Sequence, residues 1–572
     1  MKGPQPILKF LLLIFFTRMP SPVFSQNLEH IGKQKPFTFS GSIGGGVNFY
    51  NSTETSYTRD PFTWKIYGNF TPTIYSIALP FSFVISQYSR SYTTPFAQFG
   101  ISPTYKWIKL HLGYRVIPMS PFTLDGQSFK GVGLELNPKM FRFAAFYGSL
   151  NKAISEDTTS GHLAMPQYGR KGYGFKIGVG NEADHFDLIY FHARDDSGSI
   201  KLINQTEVLR PQENSVIGFS MKFTFIKKII WSADLGFSAL TQDLAAQKVN
   251  KDTLYKTLDK AFYPFIDFRN SSVTSWAGQS TITFLLKNFT TMFGYRRVEP
   301  NFKSLGTPYM LNDVEAFQWN GGLVLDKGKV NLNANLVSQH NNISKNLASE
   351  LSTLTGTLSL GAMLGTHASL SAAASLVDLN QQDGTMHISD SVRLNQQIYN
   401  FSVTPSFNFG KQTIIQSLSP SLNYSLLHDN NPFTSPNTQS NTLALVLSYS
   451  CTFTEKSLSL NGSVLYNQYD QNANNYTSFG INAGASTQLL KDKTLGLQLS
   501  LGYMWNHYSL MEVKNNITGS CNIHYTLLKK HSFSAYFNVV TTPPTSNTLQ
   551  QKLPYSVSTT NVAGGLAYNY SF

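Results

Sequence analysis

The chain closes on SVSTTNVAGGLAYNYSF, residues 556–572, and the alternation in that stretch decides the fold. Counting back from the end, Phe572, Tyr570, Tyr568, Leu566 and Val562 fall on one face; Ser571, Asn569, Ala567, Gly565, Ala563 and Asn561 fall on the other. A period of two is the signature of an extended strand. One face is aromatic and aliphatic, the other small and polar. Such a segment is expected of the closing strand of a transmembrane β-barrel, with its apolar face to lipid and its polar face to the lumen.

A terminal Phe preceded by Tyr at alternate positions resembles the signature that outer-membrane assembly machinery recognises on the last strand of its client barrels. The resemblance implies residence in the outer membrane of a Gram-negative bacterium. It also implies that machinery as a partner, acting through the strand that ends at Phe572.

The beginning of the sequence agrees with export. Lys2 and Lys9 precede the apolar run Phe10 to Phe16, and the small residues Val23 and Ser25 stand before Gln26, so residues 1–25 read as a cleaved secretory signal. Residues 26–36 form a short periplasmic lead, and 37–572 the barrel. No later stretch approaches the roughly 20 consecutive apolar residues that a membrane helix needs. A membrane-resident chain of this kind must cross as strands.

Composition points the same way. The 42 Phe and 29 Tyr accompany 41 Gly, while charged residues make up only 13%, against about 25% in ordinary soluble domains. Mean hydropathy is nevertheless −0.17, because lipid-facing apolar residues alternate with polar lumen-facing ones. The cysteines, Cys451 and Cys521, are in phase with apolar neighbours such as Tyr449 and Ile523, so both are expected to face lipid unpaired.

From Phe37 onward, two-faced segments are separated by joints that alternate between short and long. Lys106-Trp107, Asn137-Pro138-Lys139, Lys227-Lys228 and Lys529-Lys530 are typical of the short ones, which read as tight hairpin turns. Long polar stretches lie between them, at 118–128, 153–169, 196–213, 243–272, 299–315, 379–395 and 543–555. Tight periplasmic turns and long outer loops are the asymmetry of outer-membrane barrels. The expectation is an all-β chain: one transmembrane antiparallel β-barrel of about 26 strands (24–26), with no separate plug domain. An even count returns Phe572 to the periplasmic side.

Alternation also assigns individual side chains. Arg115, Arg142 and Arg296 fall on the lumen phase, and Asp195, Asp196, Asp243 and Glu299 lie in the outer joints or beside them. Arg115, Arg142, Arg296, Asp195, Asp196 and Glu299 are therefore the candidate lumen and mouth residues, with Arg115 and Arg296 expected to pair with the acidic group and pin loops inward. Aromatics near segment ends, among them Tyr67, Trp107, Tyr147 and Trp231, suit interfacial girdles.

Catalysis finds no support in the sequence. There is no Gly-x-Ser-x-Gly elbow, no His-Glu-x-x-His and no Cys-x-x-Cys, so no catalytic, metal or cofactor residue is assigned. Removing Lys2, Lys9 and Arg18 with the signal lowers the formal charge from +13 to +10. That excess is spread over many turns, so nucleic acid is not an expected partner.

The phrases Ser120-Pro121-Phe122-Thr123-Leu124, Phe141-Arg142-Phe143-Ala144-Ala145-Phe146-Tyr147-Gly148 and Tyr295-Arg296-Arg297-Val298-Glu299-Pro300 resemble segments of large outer-membrane β-barrel proteins of the Bacteroidota type. The likeness spans roughly residues 97–320 and implies fold and location. A barrel this wide with no plug needs something to fill it, since 22-stranded barrels already enclose one. The expected function is a non-enzymatic gated conduit or anchor for a large substrate or partner protein. Its seal would be the outer loops 153–169, 196–213, 243–272 and 299–315, or a protein partner that fills the lumen or binds those loops. A sealed adhesive barrel and a diffusion porin for small polar solutes are the alternatives, and membrane lipids are partners in each.

Overall fold

The structure is a computed structural model. It describes residues 36–53, 60–74, 77–87, 98–155, 166–200, 209–254, 256–472, 474–490, 492–508, 515–542 and 559–572. The expected signal and most of the lead lie outside these residues, as do parts of the long stretches 153–169 and 196–213 and all of 543–555.

Antiparallel pairing runs from neighbour to neighbour through the whole sheet. The first strand, Phe37–Ser52, then pairs with the last, Thr559–Ser571, from Ser42↔Ser571 to Ser52↔Asn561. The sheet is closed, and no edge strand remains. It has 28 strand segments, but two strands are each broken by a proline. Ile77–Ala78 and Phe81–Ser86 pair along the same neighbour, Phe62–Ile74, and are separated by Leu79-Pro80. Gln98–Ile101 and Thr104–Tyr105 both pair with Ile108–Arg115 and are separated by Ser102-Pro103. Counting each broken strand once leaves the 26 staves expected.

The soft regions of the sequence resolve into ordinary hairpins. Ser349–Met363 pairs with Ala368–Asp383, and Asn395–Lys411 with Ile414–Asp429. The stretch 379–395 is only partly loop, because the strand before it continues to Asp383. At the short-turn rim, Ile226 and Lys227 have φ of 52° and 55°, and Leu528 and Lys529 have φ of 54° and 59°. Two successive positive φ values are what a tight hairpin turn matching strand twist requires.

Phe572 sits at that rim. Its amide donates to the Gly41 carbonyl at 3.0 Å, and its ring meets Phe39 edge-on at 4.7 Å. Apolar side chains dominate the exterior, with Phe175, Ile177 and Val179 each more than 40% exposed. Tyr67 departs from the girdle expectation. It is in phase with Lys65 and Asn69 on the lumen face, because Ile66 and Phe70 hold the outward phase of that strand. A closed, even-stranded antiparallel barrel with an apolar exterior, short turns at one rim and long loops at the other is an outer-membrane barrel of a Gram-negative envelope.

Candidate functional site in the barrel lumen

The lumen is lined by residues that alternate with the lipid-facing set, and the two halves of the wall differ in what they carry. On strand Phe141–Asn151, Ala144, Phe146 and Leu150 point inward and are buried. On His185–Asp196, Ile189, Phe191 and Ala193 are fully covered. Val216, Leu240, Ala277 and Val298 extend this apolar patch across four further strands. A soluble lumen would leave these side chains wet, so something must cover them.

Two outer loops do. Residues 116–128 carry Ile117, Phe122 and Leu124 into the lumen, and residues 299–313 carry Phe302 and Leu305, all at most 3% exposed. Phe122 and Phe302 meet edge-to-face at 6.0 Å, a favoured aromatic geometry. The loops also join through their backbones. The Asp125 amide donates to the Gly306 carbonyl at 3.1 Å, and the Ser304 hydroxyl donates to the Thr123 carbonyl at 2.5 Å.

Asn214, fully buried on the wall, fastens the second loop. Its Nδ2 donates to the Lys303 carbonyl at 3.2 Å and to Ser238 Oγ at 2.8 Å, and its Oδ1 accepts from the Leu305 amide at 3.0 Å. Ser238 donates to the same Lys303 carbonyl at 2.7 Å, and Ser275 to that of Pro300 at 2.8 Å. Loop backbone thus finds wall side chains where it has left water, as buried polar groups must. Glycine makes the close approach possible: a Cβ on Gly236 would stand 2.6 Å from Phe122 Cβ, and one on Gly218 2.5 Å from Thr123 Cγ2.

Longest of the expected gates, 243–272 does not enter the lumen. Its Leu254, Phe262, Ile266 and Phe268 pack with Ala239, Ile217 and Phe237, which are on the outward phase of their strands. The reason lies in its composition and contacts. This segment has its own apolar cluster around the short helix Thr257–Phe262, and it meets an outer wall that is also apolar. Its Phe265 ring reaches Tyr190 at 5.4 Å.

The candidate mouth residues divide in the same way. Arg142 forms a two-pronged ion pair with buried Asp187, at 2.8 and 2.9 Å. Arg115 donates to Ser82 Oγ at 3.3 Å, reaching along the wall. Arg296 lies 5.8 Å over the Phe122 ring, a cation–π contact with the inserted loop. Neither Arg115 nor Arg296 pairs with the acidic group named for them. Asp195 is taken by Arg170 at 2.7 and 3.1 Å, Asp243 by Arg210 at 2.8 Å, and Glu299 by Arg297 at 2.7 Å. Asp196 accepts the Gly198 amide at 3.1 Å. Asp195, Asp243 and Glu299 each took the arginine that pairing or loop geometry placed nearest, as Arg170 stands directly opposite Asp195.

Sequence reasoning missed Asp187, Arg170 and Asn214. Asp187 and Arg170 were legible in phase, since each alternates with outward apolar or exposed neighbours. Asn214 carried no signal that separates it from dozens of lumen amides. Nearer the short-turn rim, Ser102 Oγ, His111 and Glu135 form a hydrogen-bonded row, with distances of 3.1 and 2.6 Å to the two ring nitrogens. His111 is 2% exposed and Ser102 8%, so the row braces the wall beside the proline break.

The remaining wall is different. From Ser349 to Ser571 the lumen phase is mainly Ser, Thr, Asn, Gln, Gly and Ala, interrupted by apolar residues such as Val377, Leu379, Ile398, Val446 and Leu465, with residues such as Ser402, Ser419, Ser421 and Asn423 part-exposed or exposed. Hydroxyls and amides bond across strands, as in Asn400 to Ser375 at 3.1 Å and Ser500 to Ser520 at 2.6 Å. Most charged residues on these strands, among them Glu350, Asp383, Lys411, Asp429 and Asp470, lie near strand ends.

No family model matches the chain, and no curated protein matches it in sequence. Among solved structures it is similar to Acinetobacter baumannii OccAB2, at 10% identity and a TM-score of 0.32 over 64% of this chain and 92% of that one. It is also similar to the siderophore receptor PirA from Pseudomonas aeruginosa, at 10% identity and a TM-score of 0.35 over 93% and 80%. The PirA receptor from Acinetobacter baumannii gives a TM-score of 0.38 at 10% identity over the same shares. Scores this low carry no argument, and the barrel rests on its own strand pairing.

Proposed function

We propose that this protein is a non-enzymatic outer-membrane conduit whose passage follows the uncharged polar wall formed by residues 349–571, narrowed by the two inserted loops on the opposite side. The observation that carries the reading is the division of the lumen. One arc is covered by 116–128 and 299–313, and the other presents hydroxyls and amides to water. An uncharged lining neither traps nor repels by charge, so it suits a large neutral polar substrate such as a glycan or an extended polypeptide. Assembly of the barrel through its C-terminal strand, and kinship with large barrels of the Bacteroidota type, belong to the same proposal.

Liposome swelling with neutral sugars of increasing size tests it. Uptake of large sugars that rises when 116–128 is shortened supports a loop-narrowed conduit. Small, permanently open steps in planar bilayers that ignore the loop contradict it and favour a diffusion porin, the reading for which the uncovered half of the lumen speaks.

A further inference from the structure

We propose that the lipid-facing wall between Tyr114 and Arg194 is a binding site for the phosphorylated glucosamine headgroup of an outer-leaflet lipopolysaccharide. The cations come first. Pairing places Tyr114 opposite Lys130, Lys130 opposite Ser149, Ser149 opposite Lys171, and Lys171 opposite Arg194. These residues form one level row across five strands, and Lys130, Lys171 and Arg194 are all exposed on the outward phase.

Two like charges directly opposite on neighbouring strands repel, and a sheet ordinarily avoids the arrangement. Lys171 and Arg194 have it. Among the described residues no carboxylate stands within ion-pair distance of Lys130 or Lys171, and Arg194 reaches only Glu213, at 3.5 Å. An anion between Lys171 and Arg194 would turn the repulsion into a clamp, and Lys130, two strands away at about 10 Å, would meet a second anionic group.

The surroundings fix which anion. One step toward the short-turn rim, the outward row is Val132, Tyr147, Tyr173 and His192, in register. Tyr147 is 58% and Tyr173 42% exposed. Below them, Phe175 and Ile177 face lipid. Cations above tyrosines above aliphatic side chains reproduce the order of headgroup, interface and acyl chains. The row lies at the loop rim, which is the outer leaflet, and the segment 243–272 walls off one side with Phe265 against Tyr190. A phosphate on a multi-chain lipid meets all three layers. Free phosphate meets only the first.

Native mass spectrometry of the detergent-purified full chain with bis-phosphorylated lipid A tests the site. Each cation at a membrane surface contributes roughly a fivefold gain. The variant K130S/K171S/R194S should therefore lose about a hundredfold in affinity, while K227S/K228S/K287S at the opposite rim should bind as wild type. Because R194S removes the arginine beside buried Glu213, K130S/K171S is the second variant, with a loss of about twenty-fivefold expected. Heat-modifiable gel mobility checks that each barrel is folded. Undiminished binding by the folded double variant overturns the proposal, as does equal binding of dephosphorylated lipid A, of phosphatidylglycerol, or of inorganic phosphate alone.

Discussion

The wall from Ile108 to Val298 and the wall from Ser349 to Ser571 have the same strands, pairing and alternation, yet their lumen faces follow different rules. The first carries Phe146, Phe191 and Val216 beneath inserted loops, with Gly218 and Gly236 clearing space and ion pairs such as Arg142–Asp187 below. The second carries Ser, Thr and Asn facing open lumen. A wall that must hold a loop needs apolar area, relief for close approach and side chains that satisfy loop backbone. A wall that faces water needs only polarity. The difference marks where the molecule is closed and where a solute passes.

The comparison breaks most visibly if the inserted loop is removed. Replacing Met119–Asp125 with a Gly-Ser linker should raise single-channel conductance in planar bilayers several-fold, whereas shortening 430–439 on the other arc should leave it unchanged. Next comes the fastening residue. Asn214→Ala strands the Leu305 amide and takes away one of the two donors to the Lys303 carbonyl, and should loosen the second loop by about 2–4 kcal/mol, read as faster hydrogen exchange at 300–306. The matched change Asn423→Ala should stay within about 0.5 kcal/mol.

Smaller still is the glycine pair. Gly236→Ala puts a methyl 2.6 Å from Phe122 Cβ, while Gly361→Ala meets nothing within 4 Å. Urea unfolding should show a loss of about 1–3 kcal/mol for the first and none for the second. The weakest effect concerns the outer flap. The hydrogen bond from Lys248 holds the Asp267 carboxyl below the ordinary carboxylate range. A depressed folded pKa gives stabilisation that is complete above the ordinary value, near 4, and is lost as pH falls through the folded one. The pair is half-exposed, so it contributes at most a few tenths of a kcal/mol. Amide protection at 248–268, corrected for the intrinsic pH dependence of exchange, should fall slightly in acid, and Asp267→Asn should remove that step.

Much of this was readable in the sequence. Period-two alternation needs no tertiary context, so the closing strand at Phe572, the outward cysteines and the inward phase of Arg115 and Arg142 followed from counting. Strand number followed because hairpin turns have their own chemistry. The loops were less legible. Phe122 inside 116–128 and Phe262 inside 243–272 look alike as aromatics in polar stretches, yet one enters the lumen and the other lies on the outer wall. The choice depends on which face of distant strands offers a matching apolar patch. Ion partners failed for the same reason, because Asp195 pairs with Arg170, whose position opposite it exists only after registration.

The most direct test of the division is thiol accessibility in a background with Cys451 and Cys521 changed to Ser. Single cysteines at Ser402, Asn423 and Ser500 on the open arc, and at Ala144 and Val216 under the loops, are exposed to a bulky water-soluble maleimide on intact cells. Rapid labelling of the first group and protection of the second is the result expected. Equal labelling of both groups, or protection of both, contradicts a lumen closed on one side and open on the other.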